Sequence, residues 1–137
     1  MTKKISTKAV DRGMYSNYLK KAVENQRGAE QSLKDGAYNA AAVSAVHCAI
    51  SAADAYCVRS SGKRSTSPNH EDTADLIMGL PGDKEGNAAI SKKFKTIIRI
   101  KNMAEYEERL VKPKEAEKVV SEAGEMLRLI EIALKER

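Results

Sequence analysis

Lys92, Lys95, Arg99, Asn102 and Tyr106 recur at three- and four-residue spacing, which places them on one stripe of a helix. Ile90, Phe94 and Ile97 of the same segment fall on a different, apolar stripe. One face packs and the other is offered to something. Three cations followed by an amide and a phenol suit an anionic partner rich in hydrogen-bonding groups, so RNA or a nucleotide is the expected ligand. The competing reading is a solvated charged face with no ligand.

A second set of polar residues lies upstream. Ser44, His47, Ser51 and Asp54 recur at three, four and three residues within an alanine-rich segment and form one polar seam. That seam lines a cleft, or it is a satisfied buried network or a subunit contact. His70 follows a basic loop and is either a ligand contact or a surface side chain. His47, Cys48, Cys57 and His70 are the only soft ligands. No pair has zinc-finger spacing or sits one helical turn apart, so neither a metal nor a cofactor is expected. Cys48 directly follows His47, and the two point about 100° apart on a helix, which disfavours a thiolate–imidazole pair. Cys48 and Cys57 stand on opposite sides of the same helix and cannot bridge each other there. Both read as small core hydrophobes.

The elements that position these groups are helical. Strand signals are almost absent, with no Trp and a single Phe, so the expected class is all-α. A first helix is predicted over about 14–34, closed by Asp35-Gly36 because glycine tolerates a left-handed cap. A second, about 38–59, is small and apolar nearly all round and belongs at the centre of a bundle. Ser67-Pro68 reads as a helix start, serine capping and proline first, for a short helix to about Met78. Gly79 to Gly86 is a loop without P-loop spacing. The fourth helix, about 87–107, carries the basic stripe, and Pro113 starts a fifth with a clean apolar face. The expectation is an up-and-down bundle of four long helices and one short one over 14–137, preceded by a flexible segment over 1–13.

Composition limits the classes. The 137 residues are enough for one domain with a real core, unaided by disulfides or metal. A formal charge of +5 and a pI near 9.2 mildly favour an acidic partner. Nothing reads as a secretory leader, and no apolar run approaches membrane-spanning length. A cytoplasmic location without membrane contact is therefore expected.

Three segments together resemble the HEPN family of helical domains. The first runs from Tyr18-Leu19-Lys20-Lys21-Ala22 through Asp35-Gly36-Ala37-Tyr38 to the helix containing His47 and Asp54-Ala55. The second is His70 at the start of a short helix. The third is Lys101-Asn102-Met103-Ala104-Glu105-Tyr106, similar to the Arg-Asn-x-Ala-Asp-Tyr pattern of many members, followed by an amphipathic terminal helix. Many HEPN proteins are metal-independent ribonucleases built on an arginine, four to six residues, then a histidine. Arg99 and Tyr106 keep the spacing of the arginine and a following tyrosine, but Ala104 stands where histidine is expected. Lys101 is an alternative occupant of the arginine position. The resemblance thus implies a non-catalytic module binding RNA, a nucleotide or a protein partner, such as a toxin–antitoxin component with a separate nucleotidyltransferase. It also implies a homodimer whose fourth helices approach, bringing Arg99, Lys101, Asn102 and Tyr106 into one composite cleft. The competing expectations are a ribonuclease that has moved its acid/base role to Tyr106 or His70, and a purely structural dimerisation bundle.

Overall fold

The computed structural model describes residues 4–136. Five helices run in chain order: α1 (Tyr15–Lys34), α2 (Tyr38–Ser61), α3 (Glu71–Met78), α4 (Lys84–Tyr106) and α5 (Pro113–Lys135). This is the expected bundle of four long helices and one short one. Two of the ends are fixed by glycine. Gly36 (φ +74°) turns the chain between α1 and α2, and Gly62 (φ +70°) closes α2 in a left-handed cap whose N–H donates to the Val58 carbonyl at 2.8 Å, a geometry costly for any residue with a Cβ. At the start of α5, Pro113 occupies the first turn, where its missing N–H costs nothing. The Glu115 carboxylate there reaches back to accept from the Lys112 N–H at 3.0 Å.

The core is built around α2, which packs against α1, α5 and α4. Ala41, Ala45, Ala49 and Ala52 are fully buried, and so are Ala22 and Ala29 of α1 and Ala116, Val119, Ala123, Met126 and Ile130 of α5. The small side chains let helix axes come close. Phe94 and Ile97 of α4 fill the remaining space as the sequence periodicity indicates, with Ile90 beside them. By length and composition α2 could cross a membrane, contrary to the sequence expectation, but most of its apolar surface is buried against its neighbours. A buried Ala-to-Leu change in α2 has no room to expand. Ala49→Leu is expected to lower stability by about 1–3 kcal/mol through overpacking, read as a lower urea midpoint; an unchanged midpoint would mean that this face yields without cost.

Three boundaries differ from the sequence reading. The Ser67-Pro68 start is displaced: the Ser67 hydroxyl donates instead to the Asp72 carboxylate at 2.6 Å, and Asn69 caps the Glu71 N–H at 3.0 Å, so α3 begins at Glu71. Helix α4 begins earlier, at Lys84, because the Asp83 carboxylate accepts from the Glu85 N–H at 3.1 Å. Finally, the segment before α1 and the polar loop after α2 contain strands. β1 (Thr7–Ala9) pairs antiparallel with β2 (Lys63–Ser65), Thr7 opposite Ser65 and Ala9 opposite Lys63. Backbone bonds from Val10 N–H to Gly62 and from Thr66 N–H to Ser6, both 2.9 Å, extend the pairing. A one-turn 3-10 helix (Arg12–Met14) then leads into α1.

Candidate functional site

Helix α4 sorts its cations by face. Lys93 turns inward to α5, where Glu122 (3.1 Å) and Glu125 (2.6 Å) hold it; the hydrogen bonds it donates to these carboxylates raise the Lys93 pKa, and the same ammonium lowers that of Glu125. Lys92, Arg99, Asn102 and Tyr106 point outward and are exposed, Tyr106 to 90%. Lys95 is half-buried and leans to Asp75 of α3 at 3.7 Å. Among the described residues, Lys92 and Arg99 make no ion pair. The stripe read from the sequence is therefore present as a solvent-facing strip with two unpaired cations, a guanidinium among them that can take a phosphate in bidentate fashion.

Lys101 does not belong to that strip. Two residues along a helix is about 200° of rotation, and Lys101 lines a pocket on the other side of α4. Within one chain, Arg99 and Lys101 thus face different sides of α4. The pocket is about 440 Å3 and lies between the first half of α2, the end of α4 and the α4–α5 connection. Ala42, Val43 and Val46 form one wall, Ile100 and Ala104 another, and Val111 a third. His47, exposed, and Lys101 stand at its polar edge, so the pocket gathers two of the residues singled out from the sequence.

The connecting segment is a braced wall. Both Glu115 carboxylate oxygens accept from the Arg109 guanidinium, at 2.7 and 2.9 Å, and Glu107 takes its Nε–H. The Val111 N–H donates to Asn39 of α2 at 2.8 Å. The Arg109 hydrogen bonds, helped by the Lys112 N–H, push the Glu115 pKa down to about 2, and the two carboxylates raise that of Arg109. Glu108 holds a left-handed backbone (φ +51°) to make the turn, a conformation that costs a residue with a side chain on the order of 1 kcal/mol. Arg109 is thereby neutralised, and Glu108 faces the pocket with Lys101.

The remaining residues disperse. Asp54 is half-buried on α2 and does not line the pocket; burial raises its carboxyl pKa to about 6 although Arg64 of β2 opposes the shift. His70 occupies the N-cap position of α3 and also lies outside the pocket lining. Cys48 and Cys57 are buried free thiols; burial pushes Cys48 up to about 12 and raises Cys57 as well, which keeps both in the unreactive protonated form. Among the described residues, no three His, Cys, Asp or Glu side chains converge as a metal would require. Asn39, Arg109 and Glu115 escaped the sequence reading; the Arg-to-Glu spacing across Pro113 was the available signal. Tyr106, on the outer strip, and Ala104, in the pocket wall, face different surfaces.

Comparison with curated proteins and with solved structures yields no match. The chain nevertheless matches the HEPN domain over residues 15–133, nearly its whole length, and belongs to the HEPN family.

Proposed function

We propose that this HEPN domain is a non-catalytic RNA-binding module whose contact surface is the outer strip of α4. The carrying observation is the pair of unpaired cations Lys92 and Arg99, in line with Asn102 and the nearly fully exposed Tyr106. The cations neutralise phosphates, the amide hydrogen-bonds to base or ribose edges, and the phenol ring offers a stacking surface. Catalysis is not part of the reading, because Ala104 supplies no proton donor where the ribonuclease motif has histidine.

The test is binding of a single-stranded RNA oligomer across a salt series in the presence of chelator. Affinity should fall steeply with salt, since each phosphate neutralised releases condensed counterion. Lys92→Ala combined with Arg99→Ala is expected to flatten the slope of log K against log salt by about 1.4, which is about 0.7 for each phosphate of a single strand that is no longer neutralised. Lys101→Ala, on the opposite face, should change neither affinity nor slope. Salt-independent binding, or a double variant that binds as the unaltered protein does, refutes the strip as the contact surface. Cleavage of the oligomer that disappears in His47→Ala would instead make the pocket an active site.

A further inference from the structure

The opposite end of α4 borders a second recess, of about 400 Å3, where the last turns of α5 meet the α3–α4 connection and the first turns of α4. Its floor is apolar, made by Ile90 of α4 with Leu129 and Ile132 of α5. Ile132 is 52% exposed, so part of that floor stays open to solvent. A cavity of this size accommodates one small molecule.

Charge says which kind of molecule. The lining carries two carboxylates, Asp83 and Glu136, and no lysine, arginine or histidine, on a chain whose formal charge is +5. Among the described residues, neither carboxylate makes an ion pair. The two helix ends that meet here act unequally. Glu136 is the C-cap of α5, so the recess lies at the negative pole of a 23-residue helix, where a cation is favoured. The positive pole of α4 is already capped: the Asp83 carboxylate accepts from the Glu85 N–H at 3.1 Å, and the Asp83 carbonyl accepts from the Asn87 N–H at 2.9 Å. The Tyr56 hydroxyl, the one neutral polar side-chain group in the lining, donates to Asn87.

Gly86 sets the position of one carboxylate. A Cβ at this residue would stand 2.7 Å from an Asp83 carboxylate oxygen, so glycine is what lets that carboxylate lie against the first turn of α4 beside the recess. Tyr56 is the one aromatic residue in the lining and makes no cage for a quaternary nitrogen; carboxylates instead suit a cation that carries N–H donors. We infer that this recess binds a small organic ammonium ion, its nitrogen at the carboxylates of Asp83 and Glu136 and its apolar body on Ile90, Leu129 and Ile132. The inference goes beyond the RNA reading and shares no residue with the strip on which that reading rests.

The probe is phenethylammonium, titrated into the isotope-labelled full chain and followed by amide chemical shifts, with phenethyl alcohol and phenylpropionate as its neutral and anionic counterparts. Shifts should converge on Gly82 and Gly86. The ammonium should bind about tenfold more tightly than the alcohol, the worth of a charge-assisted hydrogen bond, and the phenylpropionate should not bind. Asp83→Asn with Glu136→Gln should bring the ammonium down to the affinity of the alcohol at an unchanged urea midpoint, because asparagine also caps a helix. Gly86→Ala, which displaces the Asp83 carboxylate, should weaken the ammonium and spare the alcohol; if the double variant fails to fold, this one carries the charge test. Ile132→Ala should weaken both ligands, and Lys92→Ala with Arg99→Ala should weaken neither. An ammonium that leaves Gly82 and Gly86 unshifted overturns the proposal. So does equal affinity for ammonium and alcohol, or a folded carboxylate double variant that binds the ammonium as the unaltered protein does.

Discussion

Replacing Asn87 by alanine is expected to lower stability by about 2–4 kcal/mol, a large part of the 5–15 kcal/mol that holds a typical domain. Asn87 is fully buried. Its carbonyl accepts the hydroxyl of Tyr56 on α2, and its amide donates to the Leu80 carbonyl at 3.0 Å, so one side chain ties α2 and the α3–α4 connection to the start of α4. Alanine removes the bonds to the Tyr56 hydroxyl and the Leu80 carbonyl and leaves a small void between three elements, so the buried carbonyl pays a desolvation cost. The measurement is a urea unfolding curve. Tyr56→Phe removes the same Tyr56–Asn87 bond, so the double variant should be less destabilised than the sum of the two single ones. Additive losses would show that the Tyr56–Asn87 bond contributes nothing to stability.

A change of opposite sign is expected at Asp54. Burial raises its carboxyl from 3.8 to about 6, and the attraction of Arg64 only partly opposes the shift. The sign of the linkage follows from which state holds the proton. Between about pH 4 and 6 the folded chain keeps a proton that the unfolded chain has released, so this group's contribution to stability falls as pH rises through that interval. Above it, the folded state carries a half-buried charge at a cost on the order of 1–3 kcal/mol. Asp54→Asn should therefore stabilise the protein at pH 8, and the gain over the unaltered chain should shrink toward pH 4. If the asparagine variant is the less stable at pH 8, attraction to Arg64 outweighs burial.

How much of this was legible in the sequence depends on the range of the interaction concerned. The helices and the packing face of α4 were readable because periodicity is local: Phe94 and Ile97 alternate with Lys92, Lys95 and Arg99 at fixed angles whatever the rest of the chain does. That Lys101 faces away from Arg99 within one chain was likewise legible, because two residues along a helix is a rotation of about 200°. Helix starts failed where two caps compete. Ser67-Pro68 has the local chemistry of a start, but a carboxylate five residues away claims the serine, and Asn69 does the capping. The pocket was invisible in principle, because Asn39 and Val111 become neighbours only after α2 and α5 have docked. So was Asn87, whose partners lie seven and thirty-one residues away.

The β1–β2 ribbon has a kinetic consequence. Two strands of three residues have almost no stability of their own, and these two are separated by the whole of α1 and α2. Their pairing must wait until that helical hairpin has formed and brought Gly62 beside Val10. What forms last on so few bonds also opens first. The Val10 and Thr66 amide protons should exchange with solvent by a local opening that leaves the bundle intact, well ahead of the amides around Ala49. In that brief open state β2 presents an unpaired edge of Lys63-Arg64-Ser65, whose two cations discourage another strand from adding there.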